Sequence, residues 1–312
     1  MAKAIRDVYG ETLREYGKIN KDIVVLDADV SGSTKSALFG KEFPERFYNC
    51  GVCEYAMVGM AAGMAKNGKI PFVNTFAVFL TTLGSLAART LMSYSQLPVK
   101  MMGGYGGLSD SYDGATHQAL EDLAVMRSLP DVTVLVASDA TITKWIVKTA
   151  IDVPEPMYIR LSRDVMADCH SSDTQFEIGK GAIVKDGNDV TIFACGVMVG
   201  TALEAAETLG TNGISARVVD MYSIKPIDAA LIEKCAKETG AFVTAEEHSV
   251  IGGLGSAIAE VMAKSDCGVP TEMIGMQDMH GESGDYKQLL NKFGLDAQAV
   301  VAATQKVVSR KK

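Results

Sequence analysis

The feature that most constrains this chain is a steady succession of short apolar runs and helical-period segments. It is interrupted once by a polar stretch and then resumes. Ala4–Tyr16 spaces its apolar residues as a helix does, and Asp22–Asp27 is a compact apolar run that ends in acids and small residues. Further apolar runs at Phe47–Cys50, Ile70–Asn74, Val99–Gly103, Val132–Ser138 and Met157–Leu161 predict strands, and Leu80–Tyr94 and Ala140–Ala150 predict helices. Asp164–Gln175 is polar and loosely patterned, and it reads as a linker. Strands are then predicted at Asp189–Ala194, Ser215–Met221, Ala241–Thr244 and Thr271–Ile274, with helices between and after them. A strand followed by a helix and another strand pairs in parallel with it. The sequence therefore predicts an α/β protein made of two parallel-sheet α/β domains, 1–165 and 176–312. Its functional loops should lie where the strands end. The 312-residue length agrees, because a single hydrophobic core rarely grows that large.

Charge excludes some functions. The net charge is −8, and no basic run precedes the Arg310-Lys311-Lys312 tail, so neither a nucleic acid nor a membrane surface is an expected partner. No stretch is long and apolar enough to span a bilayer and the first residues lack an apolar signal core, so the expected location is cytoplasmic. The six cysteines are scattered. Cys50 and Cys53 have CxxC spacing, but no second Cys or His pair stands at metal-ligand spacing, so no metal held by this chain is expected.

Chemistry is concentrated in Asn49–Phe79. Asn49-Cys50-Gly51-Val52-Cys53-Glu54-Tyr55-Ala56-Met57 leads into a small-residue apolar helix, followed by Pro71-Phe72-Val73-Asn74-Thr75-Phe76-Ala77-Val78-Phe79. A lone acid in such a run is costly to bury as an anion unless a ligand shares its proton. An acid at the positive end of a helix dipole is the plain structural alternative. A second motif is Gly103-Gly104-Tyr105-Gly106-Gly107-Leu108-Ser109-Asp110-Ser111-Tyr112-Asp113-Gly114-Ala115-Thr116-His117-Gln118. Its glycines would let the backbone approach a ligand closely, and Asp113 or Thr116 could equally cap a following helix. The Gly-rich stretch Gly252-Gly253-Leu254-Gly255 fails the Gly-x-Gly-x-x-Gly spacing of a dinucleotide loop.

These motifs resemble the pyrimidine-binding domain of transketolase-like thiamine diphosphate enzymes. The two-domain order resembles the central and C-terminal domains of transketolase over nearly the whole chain. The resemblance implies that Glu54 hydrogen-bonds a ring nitrogen of the cofactor's aminopyrimidine and that Phe76 and Phe79 pack around that ring. It further implies that Asp113 contacts the hydroxyls of a donor ketose and that His117 lines the substrate channel or assists proton transfer. Arg6, Ser33 and Arg163 match the family's phosphate ligands, although each alone would pass for a surface charge or a cap. Asp29 matches an acid near the cofactor and dimer contact. Tyr105 stands where transketolases usually carry a second His, and Cys53 and Tyr55 flank Glu54 in place of a basic residue and a His.

The family's pyrophosphate-binding domain, with its Gly-Asp-Gly metal motif, has no counterpart here. Asp186-Gly187-Asn188 lies between two β-like segments, where those residue types make a turn. The resemblance thus implies the C-terminal subunit of a split transketolase, a transferase of two-carbon ketol units. An N-terminal pyrophosphate-binding partner would supply the Mg²⁺ ligands in an α2β2 assembly. A 2-oxoacid dehydrogenase β subunit and a non-catalytic binding partner retaining the fold are the alternatives.

Overall fold

The computed structural model describes residues 3–311. In the first half the strands are β1 (Ile23–Asp27), β2 (Phe47–Asn49), β3 (Ile70–Phe76), β4 (Lys100–Gly104), β5 (Thr133–Val136) and β6 (Met157–Arg160). In the second they are β7 (Ala182–Lys185), β8 (Val190–Ala194), β9 (Ala216–Asp220), β10 (Ser223–Lys225), β11 (Phe242–Ser249) and β12 (Thr271–Met276). The first sheet is ordered β10-β5-β6-β4-β3-β1-β2 and the second β12-β11-β8-β9-β7. All pairings are parallel except those of β7 with β9 and β10 with β5.

The central strands are apolar on both faces because helices cover both, and β1 (IVVLD) and β8 (VTIFA) are buried at every position. One face of the first sheet packs Ile5, Tyr9, Leu13, Ile142 and Ile146 against Val25, Phe72 and Ile159. The opposite face packs Met57, Val58, Ala61 and Leu80 against Val24, Leu26 and Val73. That apolar cluster continues without a break into Phe193, Val219 and Phe242 of the second half. The two units share a core.

Three features depart from the sequence expectation. Strand β10 leaves the second half and adds an antiparallel edge to the first sheet, pairing Ser223 with Leu135 and Lys225 with Val134. It is three residues long, too short to show a period of two. The helix expected over 80–94 breaks into Ala77–Thr82, Ser85–Ala87 and a π-helical run Ala88–Ser93. At Gly84 the chain approaches itself so closely that a Cβ would lie 2.5 Å from the Leu80 carbonyl oxygen. Finally, β11 runs on through Glu246, Glu247 and His248, all buried, which no hydropathy pattern would place in a strand.

The N-terminal helix Ile5–Ile19 sits close to the chain that follows β1, since a Cβ on Gly10 would lie 2.6 Å from the Lys35 carbonyl oxygen. Gly10→Val is therefore expected to destabilise the chain by about 1–3 kcal/mol through overpacking. Gly210, in the helix Met198–Thr211, has open space around it. Gly210→Ala is expected to add about 0.5–1 kcal/mol. Urea unfolding midpoints of the two variants should move in opposite directions, and movement in the same direction would contradict the packing described.

Candidate active site at the carboxyl edge of the first sheet

Parallel strands all end on one side of their sheet, and the loops leaving that edge converge. Asp29 and Ser33 follow β1, Glu54 follows β2, Phe79 follows Phe76 at the end of β3, Tyr105 through His117 follow β4, and Arg163 follows β6. Arg6 reaches the same edge from the first turn of the N-terminal helix. Asp27, the buried last residue of β1, shapes the first loop. Its carboxylate accepts from the Val30 N–H (2.7 Å) and from the Thr34 and Ser36 hydroxyls (both 2.8 Å). Burial pushes the Asp27 carboxyl above its ordinary range and those hydrogen bonds oppose the shift.

Tyr105 organises the centre. Its ring lies 4.5 Å from Phe76, centroid to centroid, and its hydroxyl accepts a hydrogen bond from the Arg6 guanidinium. The Arg6 and Arg163 guanidinium carbons stand 5.4 and 5.5 Å from the same ring centroid, within cation–π range. Arg6 also donates to the Ser33 carbonyl oxygen at 3.4 Å. His117 meets Phe79 edge-on at 5.1 Å and Phe76 at 6.2 Å, and its Nδ1 lies 3.0 Å from the Thr116 hydroxyl. Arg6, Ser33, Phe76, Phe79, Tyr105, His117 and Arg163 thus form one contiguous group. Tyr105 holds a left-handed backbone at φ 60, a conformation that costs a non-glycine residue on the order of 1 kcal/mol or more.

Glu54 joins this group through Thr75. It opens the helix Glu54–Lys66 and is 3% exposed, and its Oε1 accepts from the Thr75 hydroxyl at 3.3 Å, next to Phe76. Among the described residues no cation pairs with it. Asp29 stands apart on the β1–β2 side, exposed, at φ 67, accepting from the Asn49 amide at 2.7 Å. Asp113 is exposed at the mouth of the β4 loop. No helix starts directly after His117. The next one is Asp122–Ser128, so neither Asp113 nor Thr116 is a helix cap.

Asp110 went unnoticed in the sequence, where it is one of many acids in a polar loop. It is buried, its Oδ1 lies 3.7 Å from Arg163, and its Oδ2 has no partner. Burial first, and the neighbouring Asp113 carboxylate second, raise its pKa to about 6. Glycine spacing was misleading in the same loop. A Cβ at Gly103 would lie 2.4 Å from the Tyr158 hydroxyl and at Gly106 2.7 Å from Arg160, so these glycines make room for the protein's own side chains.

The site fits an aminopyrimidine-type ring. It offers a buried carboxyl with a single hydroxyl donor, next to the Phe76, Phe79, Tyr105 and His117 rings, with two guanidinium groups beyond them. Asp186, by contrast, is engaged in its turn, accepting from Arg217 at 2.8 Å.

Fold and site together define a transketolase-type α/β enzyme chain. Residues 1–167 match the transketolase pyrimidine binding domain and residues 179–300 the transketolase C-terminal domain. The chain belongs to the transketolase family, whose cofactor is thiamine diphosphate, and it is a transferase subunit of the split kind. It is 44% identical over 96% of its length to a putative transketolase C-terminal section of Methanocaldococcus jannaschii, covering 94% of that protein. It is 39% identical to a 6-deoxy-6-sulfo-D-fructose transketolase subunit of a Clostridium species, covering 98% of this chain and 95% of that one. To an apulose-4-phosphate transketolase subunit of Phocaeicola vulgatus it is 37% identical, covering 98% of both chains. A solved structure described as a split gene transketolase, inactive beta4 tetramer, superposes with a TM-score of 0.92 at 50% identity over 99% of both chains. Against mouse transketolase-like protein 2 the identity is 36%, and this chain spans 49% of that protein.

The raised Asp110 pKa has a stability consequence. A carboxyl whose folded pKa lies above its unfolded value penalises the fold once ionised, so the penalty is absent well below the unfolded pKa and present in full above about 6. Asp110→Asn is expected to raise the melting temperature at pH 8 by on the order of 2 °C, with the gain shrinking towards pH 4. A gain independent of pH, read by thermal melts across that range, would contradict the assignment.

Proposed function

We propose that this chain supplies the pyrimidine side of a thiamine diphosphate site completed by a second subunit. The pair transfers a two-carbon ketol unit from a ketose, phosphorylated or otherwise anionic, to an aldose. The observation that carries this reading is the buried Glu54 carboxyl, held among the described residues by the Thr75 hydroxyl beside Phe76. Glu54 would hold a proton against a ring nitrogen, and Phe76 and Phe79 would flank the ring. When bound, the cofactor supplies the nucleophilic carbon and the electron sink for cleaving the ketose carbon chain. Asp113 and His117, at the mouth, would take the donor hydroxyls, and Asp29, apart from the ring cluster, would stand near the cofactor and the neighbouring subunit.

Arg6 and Arg163 approach one aromatic ring from positions where both guanidinium groups can reach an anionic substrate tail, with Ser33 beside them. The relatives named for a sulfonated fructose and for apulose 4-phosphate both act on sugars that bear a strong anion. Tyr105 supplies a hydroxyl and a ring face there, and no charge of its own. A 2-oxoacid has no sugar phosphate to hold, which disfavours the dehydrogenase alternative. An intact Glu54, Asp113 and His117 set disfavours a non-catalytic partner.

The diphosphate and Mg²⁺ ligands would come from an N-terminal pyrophosphate-binding subunit in an α2β2 assembly in the cytoplasm. Relatives named as a C-terminal section or as a subunit, matched over nearly their whole length, support this division. So do the exposed apolar side chains of Tyr55, Met60, Leu86, Leu91 and Tyr94, on or just beyond helices that pack against one another. Among the described residues, no helix is long and apolar enough to cross a membrane.

The isolated chain is expected to show no ketol transfer, and mixing with the partner subunit should restore it. In the reconstituted assembly, Glu54→Gln is expected to lower kcat about 100-fold or more while assembly persists, because a carboxamide cannot exchange a proton. Undiminished turnover in that variant would remove Glu54 from the mechanism. Met60→Glu, which places a charge among these exposed apolar side chains, is expected to abolish co-elution with the partner in size-exclusion chromatography with light scattering.

A further inference from the structure

We infer that Glu247, on β11 of the second half, is a positioning residue for the loop Gly103–Gln118. With Gly281–Gly284 it clamps that loop from outside the domain that carries the site. The inference rests on the proposed function in one respect only, namely that Asp113 and His117 meet the substrate.

The contacts come in two groups. At the start of the loop, the Leu108 N–H donates to Glu247 Oε1 at 2.7 Å. Gly107, at φ +71, lies so close over this carboxyl that a Cβ there would stand 2.2 Å from Glu247 Cδ. Arg160 spans the base, donating through Nη2 to the carbonyl oxygens of Ala119 and Glu247, both at 2.9 Å. At the far end, the Gln118 amide donates to the Glu282 carbonyl oxygen at 2.9 Å, and the Gly284 N–H donates to the Ser111 carbonyl oxygen at 3.0 Å. Gly114, at φ +81, faces the Ser283 hydroxyl with no room for a Cβ, which would lie 2.3 Å away.

Between these two clamps hang Asp110, Asp113 and His117. Beyond Gly104 no regular helix or strand runs through the loop, so these ties set its shape together with its own turns and the bonds of Gly106 to Leu161 and Gly107 to Ala119. Two backbone groups of the loop, the Leu108 N–H and the Ser111 carbonyl, find their partners in the second half. A buried amide that loses its acceptor must reorganise or bear the desolvation cost, and a loop displaced by about 1 Å misplaces its substrate contacts. Burial raises the Glu247 pKa to about 7, opposed by Arg160, and the carboxyl accepts from Leu108 whether or not it is protonated. A carboxamide retains that acceptor, whereas an alkyl group does not.

The test compares Glu247→Gln with Glu247→Leu in the reconstituted two-subunit enzyme. For Glu247→Leu the donor KM is expected to rise about tenfold, with faster amide exchange across residues 106–118. Thiamine diphosphate affinity, read by fluorescence quenching, should stay within twofold. Glu247→Gln should stay near wild type on all three. An unchanged donor KM and loop exchange in Glu247→Leu would overturn the inference. So would equal losses in both variants that track a fall in melting temperature and cofactor affinity, which mark a purely structural role. If Glu247→Leu does not fold, Gln118→Leu cuts the opposite clamp and must raise the donor KM in the same way; an unchanged KM there overturns the inference. Failure of the proposed function is separately visible, because the wild-type assembly would then transfer no ketol unit.

Discussion

The structure depends on one buried guanidinium. Arg160 ends β6, where the carboxyl edge of the first sheet meets the second half, and it is 5% exposed. Burial opposes its charge, and the Asp122 carboxylate, which accepts from its Nε at 2.9 Å, outweighs that opposition only together with Glu247 and other neighbouring groups. Tyr158 donates to the same carboxylate oxygen at 2.6 Å. With Nη2 shared between Ala119 and Glu247, a single side chain joins a strand end, the exit of the β4 loop, the helix that follows it and β11. Removing one member of such a pair leaves an uncompensated buried charge, at a cost of about 3–5 kcal/mol. The pair keeps Arg160 charged and in place, and its hydrogen bond to the Glu247 carbonyl ties the first sheet to β11.

That junction explains why the site can be polar and open while its frame is rigid. Arg6, Tyr105 and Arg163 belong to three separate segments, yet they meet on one ring because strand ends and the N-terminal helix are packed into shared cores. The cations are held by an aromatic face and by hydroxyl and carbonyl oxygens. Among the described residues Asp110, at 3.7 Å from Arg163, is the one carboxylate within ion-pair distance of either, and its raised pKa weakens that competition; Asp164 lies farther off and still feels both charges. An anionic ligand would find two guanidinium groups that, among the described residues, no carboxylate engages closer than 3.7 Å, so charge-assisted hydrogen bonds to them remain open.

Much of this was legible in the residues. Alternation fixed the parallel order and placed the loops, because a period of two or 3.6 survives in any strand or helix of ordinary length. Glu54, Phe76 and Phe79 stood out since an acid and two aromatics interrupt a small-residue run. Other features left no local trace. Strand β10 is three residues long and exists only through pairing with β5. Glu246, Glu247 and His248 lie beyond the predicted strand Ala241–Thr244 but are buried in β11, because helix N–H groups, a loop amide and Arg160 satisfy their polar atoms. Asp110 and the partners of Gly103, Gly106 and Gly107 are likewise set by segments distant in sequence. Glycine in that loop reads as a mark of ligand approach, and only the fold reveals the side chains it accommodates.

A divided active site places a particular demand on each half. On the proposed function, the charged tail of the cofactor is gripped by another polypeptide, so nothing on this chain can rely on the whole ligand to order its loops before the subunits meet. Ordering 16 residues of Gly-rich chain at the moment of docking would draw heavily on the free energy of association, since each fixed residue costs about 1–2 kcal/mol in backbone entropy. The ties from β11 and from Gly281–Gly284 are internal to this chain, and they form when it folds. On the same reading, the second half, which contributes no residue to the ring cluster, does its work beforehand: it would leave Tyr55 and Met60 free for docking and present the partner with a site already shaped.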